Sequence, residues 1–339
     1  MKINNRRYIG CKTKLLNEIY DSVVSLGYDS TNRFADVFAG TGVVGYKFAE
    51  KGFSVILNDT LYSNVIAYNA WLGEGEIRQG FISKEIEKIN KFSKLELESN
   101  YFSNVYGGKY FSHKDACLIG YIRDYIEENK DNYTSREYYY LIASLLYSTD
   151  RIANTVGHYE SFLAKEPKTM GVKLSMLDIE NLKPAEIYNE DANILASKIN
   201  ADIVYIDPPY NARQYVNFYH VLENLARWNK PTEFEGNSMK FKRNFLKSDY
   251  CRSKAPELFK DLIEKLDCKL IVVSYNNTYK AGSISSVNTI TIEQILTTLN
   301  KKGKVSVKEI DYKYFNAGKS NLEGHKEFIF TCEVNKWNY

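Results

Sequence analysis

The fold is decided by residues 33–59, which have the sequence RFADVFAGTGVVGYKFAEKGFSVILND. Apolar residues predict a strand over 33–38, and the glycines of Gly40-Thr41-Gly42 end it in a tight turn. Residues 43–51 have the spacing of a helix, and 53–59 form a second apolar strand. Strand, glycine turn, helix and strand make a βαβ unit, which joins two parallel strands. The sequence therefore predicts the α/β fold class with a mostly parallel sheet.

Later segments extend this predicted sheet. Residues 201–206 and 269–274 are almost continuously apolar, which is typical of strands that are covered on both faces. Residues 304–314 and 326–334 alternate apolar and polar side chains, and they predict two final strands paired antiparallel. More than a hundred residues separate Asp59 from the strand at 201–206, which is far longer than an ordinary crossover.

Helical periodicity fills this long interval. Between about residue 75 and residue 180, apolar residues recur at helical spacing, and the pair Gly107-Gly108 breaks the pattern. One such series is Ile86, Ile89, Phe92 and Leu95. An inserted helical subdomain is the simplest account. We therefore divide the chain into an α/β domain, built from 1–74 and 181–339, and an insertion at 75–180.

Composition excludes several classes of protein. The chain has 339 residues, 44% hydrophobic and 26% charged, which excludes a disordered chain, a collagen or a membrane bundle. The net charge of +3 does not by itself indicate a nucleic-acid binder. Five scattered cysteines favour reduced thiols in the cytoplasm and no metal site, and we expect no membrane segment, because the longest apolar runs are only strand-length. Codon bias accounts for most of the 28 tyrosines in our interpretation.

The glycine turn indicates a nucleotide-like ligand. Residues 40–45 match the pattern G-x-G-x-x-G, and Asp59 lies 19 residues after Gly40 at the end of the next strand. Such a turn brings backbone N–H groups close to a ligand, and the acid can accept hydrogen bonds from ribose hydroxyls. NAD, FAD and S-adenosylmethionine all carry an adenosine ribose, so the turn alone does not choose among them. A turn in a ligand-free α/β protein is the structural alternative.

A second motif, Asp207-Pro208-Pro209-Tyr210, follows the apolar strand at 201–206 directly. The two prolines stiffen the turn, and in an open α/β sheet this position lies at the ligand-binding edge. The Asp207 carboxylate and the Pro208 carbonyl can accept both N–H bonds of an exocyclic amino group, which is otherwise a poor nucleophile. Tyr210 offers a ring on which a flipped base can stack. A purely structural strand-end turn is the alternative.

With both motifs placed, the sequence resembles the Dam-like, α-class N6-adenine DNA methyltransferases, which use S-adenosylmethionine and have a Rossmann-like fold. The resemblance implies a catalytic motif made of Asp207, Pro208, Pro209 and Tyr210. It implies cofactor contacts at Tyr8, Gly10, Lys12, Asp36, Phe38, Ala39, Gly40, Thr41, Gly42, Asp59 and Asp191. Residues 153–159, 211–223 and 274–277 are similar to a subgroup from bacterial restriction–modification systems.

This resemblance implies an enzyme that methylates the N6 amino group of an adenine flipped out of double-stranded DNA. The cofactor would bind through 1–74, the insertion would recognise the target sequence, and a cognate restriction endonuclease would be the partner. Three alternatives stay open: methylation of cytosine N4 or of adenine in RNA, an NAD-dependent dehydrogenase, and a catalytically idle DNA-binding module. The dehydrogenase leaves the proline motif unexplained, whereas intact Asp207 and Tyr210 argue against the idle module.

DNA contacts are predicted in a basic loop near 236–256. Six basic residues and one acid lie between Ser238 and Lys254, giving a local charge of about +5, which suits phosphate contacts; a solvated loop is the alternative. The candidate DNA contacts are Lys240, Lys242, Arg243 and Lys247, together with Arg213, His158 and Tyr159. His220 follows the proline motif in a helical pattern, and we expect it to be packed rather than catalytic.

Overall fold

The computed structural model describes residues 1–209, 211–277, 288–311 and 326–335. Within these ranges the strands are β1 (Arg33–Asp36), β2 (Ser54–Asn58), β3 (Glu186–Tyr188), β4 (Ile203–Ile206), β5 (Phe234–Glu235), β6 (Lys240–Phe241), β7 (Leu270–Asn276), β8 (Gly303–Asp311) and β9 (Lys326–Val334). The helices are α1 (Leu16–Val24), α2 (Val43–Glu50), α3 (Tyr62–Leu72), α4 (Gln79–Asn90), α5 (Tyr101–Tyr106), α6 (His113–Glu128), α7 (Ser135–Ile152), α8 (Ala192–Leu195), α9 (Tyr215–Arg227), α10 (Ala255–Lys265) and α11 (Ile292–Lys302).

Seven of the described strands form one sheet in the order β3-β2-β1-β4-β7-β9-β8. The five strands from β3 to β7 are parallel, whereas β9 pairs antiparallel with both β7 and β8. The predicted α/β class is thus confirmed, as is the final antiparallel pair. The sequence does not predict β3, because its three residues are half-buried or exposed and carry no apolar run.

Side chains of successive strand residues enter two separate apolar cores. Phe34 and Tyr205 point toward a large cluster that also holds side chains of α2, α3, α7 and α9. Their neighbours Ala35 and Val204 point to the other face, where they meet α10 and α11. Two-residue alternation in β1 and β4 therefore produces a sheet with helices on both faces, as expected for buried parallel strands.

The helices α4 to α7 lie between β2 and β3 along the chain. α7 begins at a capping box in which the Thr134 hydroxyl accepts the Glu137 amide and the Glu137 carboxylate accepts the Thr134 amide. The ring of Trp71 in α3 lies 5.1 Å from that of Tyr147 in α7, and both belong to the large cluster. These helices share a core with the α/β part, and the division at 75–180 stays a prediction.

One detail of the helical prediction is wrong. α4 ends at Asn90, so Phe92 falls in a short 3-10 turn and Leu95 in extended chain, although the apolar spacing continues through both. The break at Gly107-Gly108 is confirmed, because α5 ends at Tyr106 and α6 begins at His113.

Chain order decides where a ligand can bind. β2 lies on one side of β1 and β4 lies on the other, so the connections leave β1 in opposite directions. A crevice forms at such a reversal, beyond the carboxyl ends of the strands. The glycine turn, Asp59 and Asp207 follow β1, β2 and β4 respectively, and all three therefore meet at this edge.

In the part of the chain that the structure describes, no helix combines the length and apolar character needed to cross a membrane.

Candidate active site

A cavity of about 390 Å³ lies at this edge of the sheet. Twelve of the predicted catalytic and cofactor-binding residues line it: Tyr8, Gly10, Lys12, Asp36, Phe38, Ala39, Gly40, Thr41, Asp59, Asp191, Asp207 and Pro209. Gly42 and Pro208 are not part of its lining, although each is bonded to a residue that is. Tyr210 lies outside the described residues.

The glycine turn is shaped by two left-handed residues, Gly40 with φ +53° and Gly42 with φ +79°. The Ala39 amide donates to the carbonyl of Asn58 at 2.9 Å, so the turn is bonded to the end of β2. The hydroxyl of Tyr68 donates to the Gly40 carbonyl at 2.6 Å. α2 begins directly after this turn, as the sequence predicts, so its N-terminal amides lie at the cavity.

Asp59 is held by backbone amides. One carboxylate oxygen accepts the Gly40 amide at 2.9 Å and the other accepts the Leu61 amide at 2.8 Å. Burial raises the pKa of Asp59 to about 6, and these two amide bonds oppose the rise. The carboxylate is thereby fixed in place beside the glycine turn.

Asp36 presents an unusual buried acid. Its side chain is 1% exposed, and neither carboxylate oxygen has a hydrogen-bond partner of good geometry among the described residues. Burial raises the pKa of Asp36 well above its usual range, and the negative charge of Asp207 adds to the rise. A buried acid without partners is costly unless something cationic approaches it.

Asp207 forms an ion pair that sequence reasoning did not anticipate. The ammonium of Lys12 lies 3.0 Å from Asp207 Oδ2, and the lysine side chain is only 6% exposed. The Lys12 ammonium also donates to the Gly10 carbonyl at 3.3 Å. Burial lowers the pKa of Lys12, but the charges of Asp207 and Glu327 outweigh burial and raise it overall.

Tyr8 lines the cavity and stacks on the buried Tyr219. The rings of Tyr8 and Tyr219 lie parallel with centroids 4.6 Å apart. A Cβ atom at Gly40 would come within 3.2 Å of the Tyr8 ring, so glycine is what lets the turn approach it. Tyr8 therefore packs directly against the glycine turn, and its role as a cofactor contact stays a prediction.

A loop at 245–250 closes another side of the cavity. The sequence predicts DNA contacts in this region but not a place in the cavity wall. Gln214 binds Ser248 twice, donating to its carbonyl at 2.8 Å and accepting from its amide at 2.7 Å. The ring of Tyr250 meets Phe38 edge-on at 5.1 Å. No local signal predicts that this loop lines the cavity, because it reaches the cavity only through contacts between distant segments.

Asp191 lines the cavity and also caps a helix. Its carboxylate accepts the amides of Asn193 and Ile194 and caps α8, while the residue stays exposed at the cavity.

Two of the predicted DNA contacts need correction. Tyr159 is fully buried, and its hydroxyl donates to Asp150 Oδ1 at 3.0 Å, so its ring packs in the core. Arg243 is 6% exposed and donates to Asn217 and Glu235. Both residues are therefore structural in this conformation, because their polar groups are engaged inside the protein.

The other candidate DNA contacts reach the surface. Arg213 is exposed and Lys247 lines the cavity mouth, where it donates to Asn244 at 2.7 Å. Lys242 pairs with Glu233, and this pairing reduces the positive charge that the sequence suggests. His158 is half-buried against Phe218, and burial lowers its pKa.

His220 is packed, as expected. It is fully buried, and its ring nitrogens lie 3.1 Å and 2.7 Å from the carbonyl oxygens of Asn217 and Ser238.

Comparison with known proteins identifies the family of this chain. The family described as D12 class N6 adenine-specific DNA methyltransferase matches residues 8–279. The chain is 35% identical to modification methylase StsI of Streptococcus sanguinis over 95% of this chain and 50% of that protein. It is 31% identical to type II methyltransferase M.NlaIII of Neisseria lactamica over 94% of this chain and 95% of that protein. It is 34% identical to type II methyltransferase M.FokI of Planomicrobium okeanokoites over 80% of this chain and 44% of that protein.

The chain thus spans about half the length of two of these relatives and almost the full length of the third. The matched segment begins at Tyr8, and it contains the glycine turn, Asp59 and the Asp207 motif. The chain belongs to the D12 class of N6 adenine-specific DNA methyltransferases.

Proposed function

We propose that this chain methylates the N6 amino group of an adenine flipped out of double-stranded DNA, as the modification enzyme of a restriction–modification system. The observation that carries the proposal is that Asp207 and the glycine turn face one cavity. A methyltransferase family implies a methyl donor, and we propose S-adenosylmethionine in that role.

The residues of the cavity fit S-adenosylmethionine. This cofactor carries a sulfonium and an ammonium, and the buried Asp36 carboxylate, which has no well-aligned donor among the described residues, suits a cationic neighbour. Asp59 would accept ribose hydroxyls, and Asp191 would accept the adenine amino group. Tyr8 and Lys12 would lie at the methionine end. Because Gly40 has no Cβ, the Tyr8 ring can pack against the glycine turn beside the proposed cofactor.

Binding of the cofactor is expected to depend on the ionisation of Asp59. With a pKa of about 6, the carboxyl is ionised above this pH and protonated below it. If only the anion accepts the ribose hydroxyls, the apparent Kd rises about tenfold between pH 7 and pH 5. Calorimetric titration of the protein with S-adenosylmethionine across this range measures the effect.

Asp59→Asn provides the control for this titration. The amide does not ionise, so the variant should bind more weakly at pH 7 and lose the change with a midpoint near pH 6. An equally steep change in Asp59→Asn would assign the pH dependence to another group.

The proposed chemistry is a displacement at the methyl carbon. When bound, S-adenosylmethionine supplies an electrophilic methyl group. The Asp207 carboxylate and the Pro208 carbonyl would accept hydrogen bonds from the two N6–H groups, which favours a pyramidal nitrogen and stabilises its growing positive charge. The new N–C bond replaces the C–S bond, and the proton leaves the nitrogen for water. The buried His220 has no part in this step.

The target base would stack on Tyr210, which lies outside the described residues. Arg213 and His158 lie near each other, because the Arg213 charge contributes to the lowered pKa of His158. The part of the insertion around His158 thus adjoins the segment that follows Asp207, which supports a role of 75–180 in target recognition. We propose Arg213 and His158 as DNA contacts.

A direct assay tests the proposed function. The protein is incubated with methyl-labelled S-adenosylmethionine and DNA of varied sequence, and the product nucleosides are separated. Label in N6-methyladenine supports the proposal. Label in N4-methylcytosine, or in RNA alone, selects the alternative amino targets, and no label in any nucleic acid contradicts the proposal.

DNA affinity is expected to depend on the three lysines of the basic loop, which are exposed or partly exposed, and not on the buried Arg243. Reversal of Lys240, Lys242 and Lys247 to Glu should weaken DNA binding. It should also reduce the slope of log K against log salt by about 0.9 for each phosphate that the protein no longer neutralises. Fluorescence anisotropy with labelled duplex DNA at several salt concentrations gives both quantities.

The matched control reverses three lysines on α10 and α11, Lys260, Lys265 and Lys301. This variant has the same net charge, so an equal loss of affinity and slope would show a general charge effect and would contradict a DNA-binding role of the basic loop.

The restriction–modification role extends to location and partner. StsI is named a modification methylase and M.NlaIII a type II methyltransferase, which supports the same role here. A cognate restriction endonuclease is the partner we propose. All five cysteines are free, which agrees with a cytoplasmic location.

A further inference from the structure

A second buried carboxylate, Glu327, lies at the same edge of the sheet as Asp207. Glu327 is the second residue of β9 and is 6% exposed. It falls beyond residues 8–279, the segment that matches the family. Its acid is therefore not accounted for by the motifs described above.

Strand register places Glu327 on the face that carries Asp207. In β9, Ile329 lies opposite Ser274 and Glu327 lies opposite Asn276 of β7. The Tyr205 hydroxyl of β4 donates to the Ser274 hydroxyl at 2.8 Å, so these two side chains share a face. Paired residues in an antiparallel ladder point the same way, and alternate residues of a strand share a face. Glu327 therefore shares the face of Tyr205.

Asp207 follows Tyr205 by two residues, just past the end of β4, and Lys12 contacts it there. The Lys12 ammonium is 3.0 Å from Asp207 Oδ2, and its side chain is almost fully buried. The charge of Glu327 also acts on Lys12, ranking next after the charge of Asp207. The charges of two acids, the partly buried Asp207 after β4 and the buried Glu327 of β9, thus act on one buried cation.

The electrostatics of this group determine what Glu327 can do. A buried lysine with a single acid partner is costly to keep charged, because burial lowers its pKa. The groups whose charges act on Lys12 are Asp207, Glu327 and the thiol of Cys11, and Asp36 interacts with it as well. Glu327 is the acid of this group that comes from β9 and does not line the cavity.

We propose that Glu327 is a positioning residue for methyl transfer, which keeps the Lys12 ammonium charged and seated against Asp207. The proposal rests on the proposed function of Asp207, which is to accept a hydrogen bond from the N6 amino group. Lys12 in turn holds the Asp207 carboxylate in one orientation, and two acids around one ammonium leave Asp207 with more negative charge than an exclusive pair would.

The test is Glu327→Gln, which keeps the size of the side chain and removes its charge. We expect kcat to fall about tenfold, the equivalent of one pKa unit of interaction, with little change in KM for S-adenosylmethionine. The alkaline limb of the kcat profile should move to lower pH, because Lys12 then loses its proton more readily. Glu333→Gln, a surface change further along β9, should leave both unchanged.

A second readout needs neither cofactor nor turnover. The pKa of Lys12 is measured by NMR titration of the protein with ¹³C-labelled lysines, and Lys12→Arg assigns the signal. The pKa of Lys12 should be lower in Glu327→Gln than in the native protein. Should Glu327→Gln fail to fold, Glu327→Asp retains the charge and should retain the alkaline limb of the native protein; a shifted limb would contradict the proposal.

The outcomes separate the two proposals. An unchanged Lys12 pKa and an unchanged pH profile in folded Glu327→Gln overturn the role of Glu327, even if Asp207→Ala is inactive. Full activity of Asp207→Ala overturns the function proposed for Asp207, whatever Glu327→Gln does.

Discussion

Asp207→Ala is expected to lower kcat for DNA methylation by about 10³-fold, on the scale of losing one preorganised group that stabilises transition-state charge. The nitrogen of the target base gains positive charge only as the methyl group is transferred, so the effect should fall on kcat more than on binding. The charge of Glu327 still acts on Lys12 in this variant, so the cavity is expected to remain folded and to bind S-adenosylmethionine. Single-turnover transfer of labelled methyl groups measures the rate, and calorimetry measures the binding.

Two further variants make this result specific. Asp207→Asn keeps the shape of the side chain but replaces the anion with a neutral amide, and it should be nearly as inactive. Asp267→Ala removes an exposed acid after α10 and should be as active as the native protein. Activity of Asp207→Ala within a factor of ten of native would contradict the role of its carboxylate.

Gly42→Ala is expected to lower the free energy of unfolding by about 3 kcal/mol and to abolish cofactor binding at ordinary concentrations. Gly42 has φ +79°, where an L-residue costs about 1–2 kcal/mol. The added Cβ would also lie 2.8 Å from the ring of Tyr68, which is fully buried, and such overpacking costs about 1–3 kcal/mol. Because the Tyr68 hydroxyl holds the Gly40 carbonyl, a shift of this ring disturbs the whole turn. Urea unfolding and calorimetry measure the two effects.

Gly27→Ala is the matched control. Gly27 has φ +86°, but a Cβ there would have no atom within 4 Å. This variant should lose only the backbone part, about 1–2 kcal/mol, and should bind S-adenosylmethionine normally. Equal unfolding free energies for the two variants would show that the approach to Tyr68 carries no cost.

The strength of the local signal explains which parts of the fold the sequence predicts. β1, α2 and β2 follow from residues 33–59, because their apolar spacing and glycines act over a few positions. β3 lacks such a signal, because it becomes a strand only by forming hydrogen bonds to the edge strand β2, which lies far away in the chain. In α4, the apolar spacing reaches Leu95, yet the helix ends at Asn90.

The site residues show the same difference between local signals and contacts from distant segments. Asp207 and the glycine turn are recognisable because their chemistry depends on adjacent residues. Arg243 and Tyr159 appear in the sequence as free to contact DNA, but burial and hydrogen bonds to distant partners engage both. A sequence gives the charge of a residue, whereas its exposure depends on segments that pack against it from elsewhere in the chain.

By itself, the sequence determined the α/β class, the glycine turn at 40–42 and the acid of the Asp207 motif. These features are local, since backbone conformation and strand or helix character depend on near neighbours. Only the tertiary structure decided that Lys12 pairs with Asp207, that Gln214 holds the loop at 245–250, and that Glu327 lies behind the site. These contacts join residues that are far apart in the chain, so no local pattern predicts them. Glu327, for example, lies near Asp207 because β9 pairs with β7, which is the neighbour of β4 in the folded sheet.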